Sequence, residues 1–528
     1  MITEPVLEID EIQGNIIPGF RMPFQYFAGC QLGTQSNLNG FLNYLLPKIT
    51  TMREALTYKD ERVTRAKQAG IRGKESFSLT VEQDLFWINI GFGNKLLGKF
   101  KPDAQEVDLA YKLGLAARSS LLGDPSDTTN EGNKKNWKFG NEQNGADIFL
   151  ITGSDNEAAL LKKVAELKAK IKEFALTIVY EETGERLEED REHFGFKDGI
   201  SQPSVRGFVD KEQKTFLIDR LVVEGNENLS SPEFAAPGKM LIWPGQFIFG
   251  YAKQSPDSYR EPAPISETEK SNFLKNGSFL VFRRLRQDVA TFNTYSKTMF
   301  QQLTDTPDFQ GEDYETFLAK VVGRFKDGKP VILGDQVVAP ENYNNFNFNA
   351  DTPAFKLRNG KQIASVKADQ PGMKCPAFAH IRKVNPRDLP TDLGKETDSA
   401  TFRIMRRGIP FGKPYDFDNP DNPVNETERG LLFLSYQTSI ERQFERLTQK
   451  WMNEPSRPTA MGYDILVGQN GEEDENGIKW CKFMDDNRKT KEIKSEKTFV
   501  IPTGGGYFFC PSVSAVRELI SKVNIAVK

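Results

Sequence analysis

Apolar and aromatic positions cluster over residues 25–32 (QYFAGCQL) and 84–92 (DLFWINIGF), which predicts two strands, and an apolar periodicity over 37–56 predicts a helix between them. A second unit of the same kind follows. Ile148, Phe149, Leu150 and Ile151 make a short run suited to a buried strand, Ser154 or Asp155 is placed to cap a helix start, and Leu160, Val164, Leu167 and Ile171 then recur at helical spacing. Residues 175–181 (ALTIVYE) predict the closing strand. Strand, helix, strand, strand, helix, strand is the split βαβ order of a ferredoxin-like unit, an α+β arrangement with helices on one face of an antiparallel sheet. This first domain is assigned to residues 1–235.

Between 222 and 240 the chain turns polar and carries Pro and Gly, as a linker or long surface loop would. A second domain, 236–528, is expected beyond it. Strands are predicted at 246–251 (QFIFGY), 278–285 (SFLVFRRL), 401–406 and 431–436. Helices are predicted at 288–304 and 439–452, and a strand-to-helix pair across 505–523. The succession resembles that of the first half without any repeat in the residues themselves. The charged stretch 470–496 reads as an exposed insertion.

Composition narrows the partners. Seventy Lys and Arg against 73 Asp and Glu leave a net charge of -3, so no excess positive field awaits a phosphate backbone and nucleic acid is not expected. No run of ~18 apolar residues could cross a bilayer. The start, MITEPVLEIDEIQ, has acidic residues where an export signal needs basic ones, so a cytoplasmic location is expected. Cys30, Cys375, Cys481 and Cys510 form no C-x-x-C unit, which argues against a zinc ribbon and against covalently attached haem. The chain holds only two histidines, His193 and His380, and any imidazole chemistry must use one of them.

Three segments carry candidate chemistry. His380 lies in CPAFAHIRKVNPRD (375–388) among apolar neighbours, a setting for a hydrogen-bonded core histidine or for a metal ligand, with Cys375 as the alternative ligand. In EHFGFKDGISQP (192–203), Gly195, Asp198 and Gly199 form G-x-x-D-G, either a turn capped by Asp198 or a backbone that approaches a flat ligand and presents one carboxylate. His193 is read there as structural or pocket-lining. In FRIMRRGIPFG (402–412), strand alternation sends Arg406 and Arg407 to opposite faces, so at most one points into a site and the other is expected in solvent.

These segments resemble the dye-decolorising peroxidase family, particularly its longer members, and they do so in order along nearly the whole chain. They are IQGNIIPGF (12–20), HFGFKDGISQP (193–203), NGSFLVFRRLRQDV (276–289), CPAFAHIRKVNPRD, RIMRRGIPFG (403–412), RGLLFLSYQTSIERQFERLTQKWMN (429–453) and PTGGGYFFCPS (502–512). The resemblance implies two ferredoxin-like domains with one haem b per chain bound in the second. It implies His380 as the proximal iron ligand, Asp198 as distal acid–base and Arg406 as distal charge stabiliser. Gly195 and Gly199 flank the cofactor, and Leu431 and Phe433 cover its distal face. Some relatives carry a carboxylate before the YFF segment that bonds the proximal imidazole, whereas this chain has Gly506, which leaves that partner unidentified.

The implied activity is reduction of hydrogen peroxide with oxidation of bulky aromatic or dye-like reductants, at an acidic optimum because a carboxylate moves the proton. Trp243 and Trp451 are candidates for relaying electrons from outside, or core residues. Two other classes make different demands. A haem sensor or carrier would use His380 or Cys375 without turnover, and a haem-free hydrolase would pair Asp198 with Glu192 or His193.

Overall fold

The computed structural model describes residues 3–68, 85–225, 233–469 and 477–526 of the 528. Nine strands build one sheet: β1 Phe24–Leu32, β2 Trp87–Gly93, β3 Ile148–Ser154, β4 Leu176–Glu185, β5 Ser278–Gln287, β6 Met405–Arg406, β7 Ile409–Phe411, β8 Gly430–Gln437 and β9 Val500–Cys510. Their order is β6–β8–β5–β9–β2–β3–β1–β4, with β7 also pairing β8. Within each half the second strand lies at one edge, followed by the third, first and fourth, which is the ferredoxin-like arrangement expected twice. The halves join through an antiparallel pair, Phe508 opposite Gly93 and Phe509 opposite Phe92. The free edges also approach one another. A Cβ at Gly184 of β4 would meet Ile409 of β7 at 2.4 Å, so glycine is what lets the sheet curl towards a closed barrel.

Both faces of this sheet are covered, which explains why β2 and β3 are buried at every position instead of alternating. Phe149 of β3 meets Phe282 of β5 and Phe508 of β9, each at 4.7 Å between ring centroids, so aromatic packing ties the two halves together inside the barrel. Outside, the helices Leu38–Leu45, Glu157–Glu173 and Val513–Ala526 bury Leu42, Leu160 and Val516 against the other face.

Several local expectations are revised. The helix predicted over 37–56 is two, Leu38–Leu45 and Met52–Gln68, because Pro47 ends the first in a tight turn and Thr51 with Glu54 starts the second. Glu54 Oε2 accepts from the Thr51 amide at 2.6 Å, half of a capping box that T-x-x-E announces. The cap before Glu157 is Asn156, whose side chain accepts from the Ala159 amide at 2.9 Å, not Ser154 or Asp155. Residues 246–251 are no strand. They form a buried turn, since the amides of Ile248 and Phe249 go to the Pro244 and Gly277 carbonyls. Of 401–406 only Met405–Arg406 is extended, after a helical turn at Asp398–Thr401.

The expected exposed insertion is a packed hairpin over Lys479–Met484 and Thr490–Ser495, and it buries Cys481, Phe483 and Ile493 on alternate positions. Positions 470–476 of that stretch, 226–232 of the polar stretch before β5, and residue 84 of the predicted second strand lie outside the described residues.

What the barrel positions is carried on its connections. Asp198 sits in the β4–β5 connection, His380 in the β5–β6 connection, and Arg406 on β6 itself. The boundary expected at 235/236 also falls within the β4–β5 connection.

Candidate active site

Asp198, His380, Arg406, Leu431 and Phe433 line one cavity of about 320 Å³, together with apolar side chains that include Ile200, Val384, Phe402, Leu447 and Val500. Its size and mainly apolar wall with a few convergent polar groups are those of a small-molecule or cofactor site. Leu431 and Phe433 reach it because they fall on alternate positions of β8, while Leu432 and Leu434 point into the barrel.

His380 opens the short helix His380–Lys383, directly after the buried pair Phe378 and Ala379. Phe378 is seated edge-on against Phe483 of the hairpin, with centroids 4.8 Å apart. His380 Nδ1 lies 2.7 Å from Oδ2 of Asp464, a fully buried residue. A carboxylate partner only accepts, so Nδ1 carries the proton of this contact. Nε2 has no hydrogen-bond partner among the described residues.

Asp464 is itself fixed, since its Oδ1 accepts from the amides of Leu466 at 3.1 Å and Val467 at 3.0 Å. Burial alone would push this carboxyl up, but the His380 imidazole, the Val467 amide and the Lys479 ammonium together hold it below the usual range. Lys479 is buried beside it and donates to the carbonyls of Ile465 and Gly468.

Asp198 is held from two sides. Its Oδ1 accepts from the Gly199 amide at 2.6 Å and from Arg406 Nη1 at 3.1 Å, leaving Oδ2 without a protein donor among the described residues. Burial raises its pKa and the Arg406 charge with these hydrogen bonds lowers it, and the lowering prevails. Two-fifths of the side chain, 41%, is open towards the cavity. The loop that delivers it closes through Gly195 N to Glu192 O at 2.9 Å, and Gly195 and Gly199 have φ of +93° and +69°, conformations that side chains resist. Neither glycine is among the residues lining the cavity, and a Cβ at either would meet nothing within 4 Å. Their visible service is to the turn.

Arg406 also donates to the Ser201 carbonyl at 3.1 Å, and the Gln202 amide brackets the Arg406 backbone in place of a neighbouring strand. Arg407 points away, as alternation required, but not into solvent. Its guanidinium donates to the carbonyls of Asn15, Ile16 and Arg406 at 3.0, 2.9 and 2.9 Å, tying the first residues of the barrel to β6.

Cys375 is buried, its thiol pushed up to about 12 by burial, and it does not line the cavity. His193 is buried outside the cavity with Nε2 2.8 Å from the Phe411 carbonyl, a structural position in which burial pushes its pKa down to about 4. Trp243 and Trp451 are both core residues, with indole N–H groups bonded to the Arg260 carbonyl and to Asp392.

Sequence reasoning missed Asp464, although an aspartate inside the apolar run Tyr463, Ile465, Leu466 asks for a buried partner. It also gave Glu192 no part beside a haem. Glu192 lines the cavity and accepts from the amides of Phe194 and Phe196, both at 2.9 Å.

Residues 11–186 match the family model for the DyP dimeric alpha+beta barrel domain, and residues 320–462 match the model for the C-terminal part of Dyp-type peroxidases. The chain belongs to the dye-decolorising peroxidase family. Dye-decolorizing peroxidase msp1 of Mycetinis scorodonius is 28% identical over 98% of this chain and 88% of its own length. Multifunctional dye peroxidase DyP2 of an Amycolatopsis species is 26% identical over 98% and 97%. Among solved structures, an ancestral D-type dye decolorizing peroxidase superposes with a TM-score of 0.72 at 27% identity, covering 98% of this chain and 99% of that one. The relatives are matched along nearly their full length, and the family is one of the haem enzymes. This dye-decolorising peroxidase is an oxidoreductase acting on peroxide. Among the described residues, no helix is long and apolar enough to cross a membrane.

Proposed function

We propose that this peroxidase binds one haem b per chain in the cavity, in its second ferredoxin-like half. His380 Nε2 would be the proximal ligand, Asp198 the acid–base and Arg406 the charge stabiliser. The observation that carries the reading is that a carboxylate-oriented imidazole and an arginine-held carboxylate, each with one polar atom free of protein partners, share a single apolar-walled cavity.

The donor set fits the group. A neutral imidazole with its Nδ1 proton committed to Asp464 offers Nε2 to iron, and the apolar side chains match the face of a porphyrin. When bound, the haem would supply the iron at which peroxide is cleaved and the capacity to give peroxide two electrons and recover them from the reductant.

The chain's own residues then do the rest. Asp198 takes the first proton of hydrogen peroxide on Oδ2 and returns it to the other oxygen, so that the O–O bond breaks with water as the leaving group. It is able to begin as a base because Arg406 and the Gly199 amide keep it ionised. The Arg406 guanidinium stabilises negative charge on the departing oxygen. Leu431 and Phe433 keep bulk water from the reacting oxygens. The reductants are expected to be bulky aromatic compounds, on the strength of the dye peroxidases that the chain resembles.

Asp198→Asn tests the assignment in purified, haem-loaded protein. The variant should retain the Soret band and lose about 10²–10⁴-fold in the rate at which peroxide changes it. Full retention of that rate would remove Asp198 from the chemistry.

A further inference from the structure

Overall, peroxide reduction consumes protons as well as electrons: H₂O₂ + 2 H⁺ + 2 e⁻ → 2 H₂O. A phenolic donor oxidised outside the cavity, ArOH → ArO• + H⁺ + e⁻, leaves its proton in bulk water. Electrons and protons must then reach the site by separate routes.

A second cavity, of about 310 Å³, lies beside the first and differs from it in character, since its wall is mainly polar where that of the first is mainly apolar, and includes Arg286, Asp288, Glu428 and Arg429. One residue, Gln287 at the end of β5, lines both cavities. The residue is 7% exposed, and its Nε2 donates to Glu192 Oε2 at 2.5 Å. Its Oε1 is buried with no hydrogen-bond partner among the described residues, an arrangement that costs stability unless the acceptor is used. Glu192 in turn lines the Asp198 cavity.

We propose that Glu192, positioned by Gln287, passes protons from the charged cavity to Asp198, independently of the path that electrons take. This rests on the roles given above to Asp198 and the cavity. At each handover one O–H bond breaks and one forms: water in the charged cavity, held by Gln287 Oε1, takes a proton from bulk solvent as it gives one to the Glu192 carboxylate, Glu192 protonates Asp198 Oδ2 through an intervening water that is reprotonated in the same way, and Asp198 protonates the peroxide-derived oxygen.

The chemistry of Glu192 suits the task. Burial pushes its carboxyl up to about 7, the amides of Phe194 and Phe196 oppose that rise, and the charge of Asp198 adds to it. The group therefore takes and releases a proton close to neutrality. Charged residues that line the same cavity include Lys197 on the loop of Glu192, the ion pair of Arg283 on the strand of Gln287 with Asp124, and Arg406.

The test uses the full-length, haem-loaded enzyme with hydrogen peroxide and ferrocyanide, a donor that gives an electron and no proton. Gln287→Leu is the main variant, because it leaves the amide contacts of Glu192 in place, and Glu192→Gln is the second. Turnover should fall by about tenfold or more in each, and added acetic acid, a small diffusible proton donor, should restore it. Unchanged turnover in Gln287→Leu, or a loss that acetic acid does not rescue while the Soret band is intact, would overturn the relay. Mixing each sample with peroxide before any donor reads the earlier step separately. A wild-type Soret band that does not respond would overturn the reading of the cavity and the relay with it.

Discussion

Asp464 and His380, 84 residues apart, meet at 2.7 Å through Oδ2 and Nδ1, and the carboxylate is completely buried while the imidazole opens onto the cavity. The carboxylate that Gly506 could not supply therefore arrives from a different part of the chain. Gly506 pairs with Phe282 in the β5–β9 ladder, where a Cβ would collide with the Phe508 ring at 2.7 Å. The His380 imidazole thus obtains its hydrogen bond from a loop, and the strand position is left free for packing.

Replacing Asp464 by Asn should weaken the anionic pull on the imidazole. In the proposed role, a less electron-rich His380 Nε2 would stabilise ferric iron less, so the ferric–ferrous potential should rise, and haem affinity or turnover should fall about 10–100-fold. Spectroelectrochemical titration of the loaded variant checks the sign.

Arg406→Leu should move the pH dependence of the reaction with peroxide. Asp198 is held below its usual pKa partly by Arg406, so ionisation is complete above that depressed value and is lost as pH falls through it. Without the guanidinium, the effect of burial dominates and the pKa rises. The acid limb of the stopped-flow rate profile should shift to higher pH, and an unmoved limb would contradict the pairing.

Arg407→Leu should act on folding. It removes the donor for three carbonyls in a confined setting and should cost about 1–3 kcal/mol, seen as a lower thermal midpoint, whereas the acid limb of the peroxide reaction should stay where it is. Solvation of Arg407, the expectation from alternation alone, would have predicted no change in either.

Phe483→Ala tests whether the charged hairpin supports the segment that carries His380. Phe483 is buried against the Phe378 ring two residues before His380, and truncation should cost about 3–5 kcal/mol. Haem retention during gel filtration should decrease along with stability. An unchanged thermal midpoint would mean that the hairpin is dispensable.

The amino-acid sequence by itself determined the α+β class, the two ferredoxin-like successions and the segments that bear Asp198, His380 and Arg406. These are local properties: hydrophobic period, turn glycines and motif residues report on how each short stretch is buried. It also determined that Arg406 and Arg407 diverge, because alternation is a property of one strand.

Only the tertiary structure decided what each of those side chains touches. Asp198 and Arg406 are 208 residues apart, and Glu192 is joined to Gln287 across 95. The hairpin at 479–495 looked solvent-exposed because charged residues interrupt its inward ones: Lys482 separates Cys481 from Phe483, and Glu492 and Lys494 flank Ile493. Hydrogen-bond partners of buried polar groups are chosen by which long connections fold back upon one another. Periodicity along the chain contains no term for that choice, and the closure of the barrel makes it.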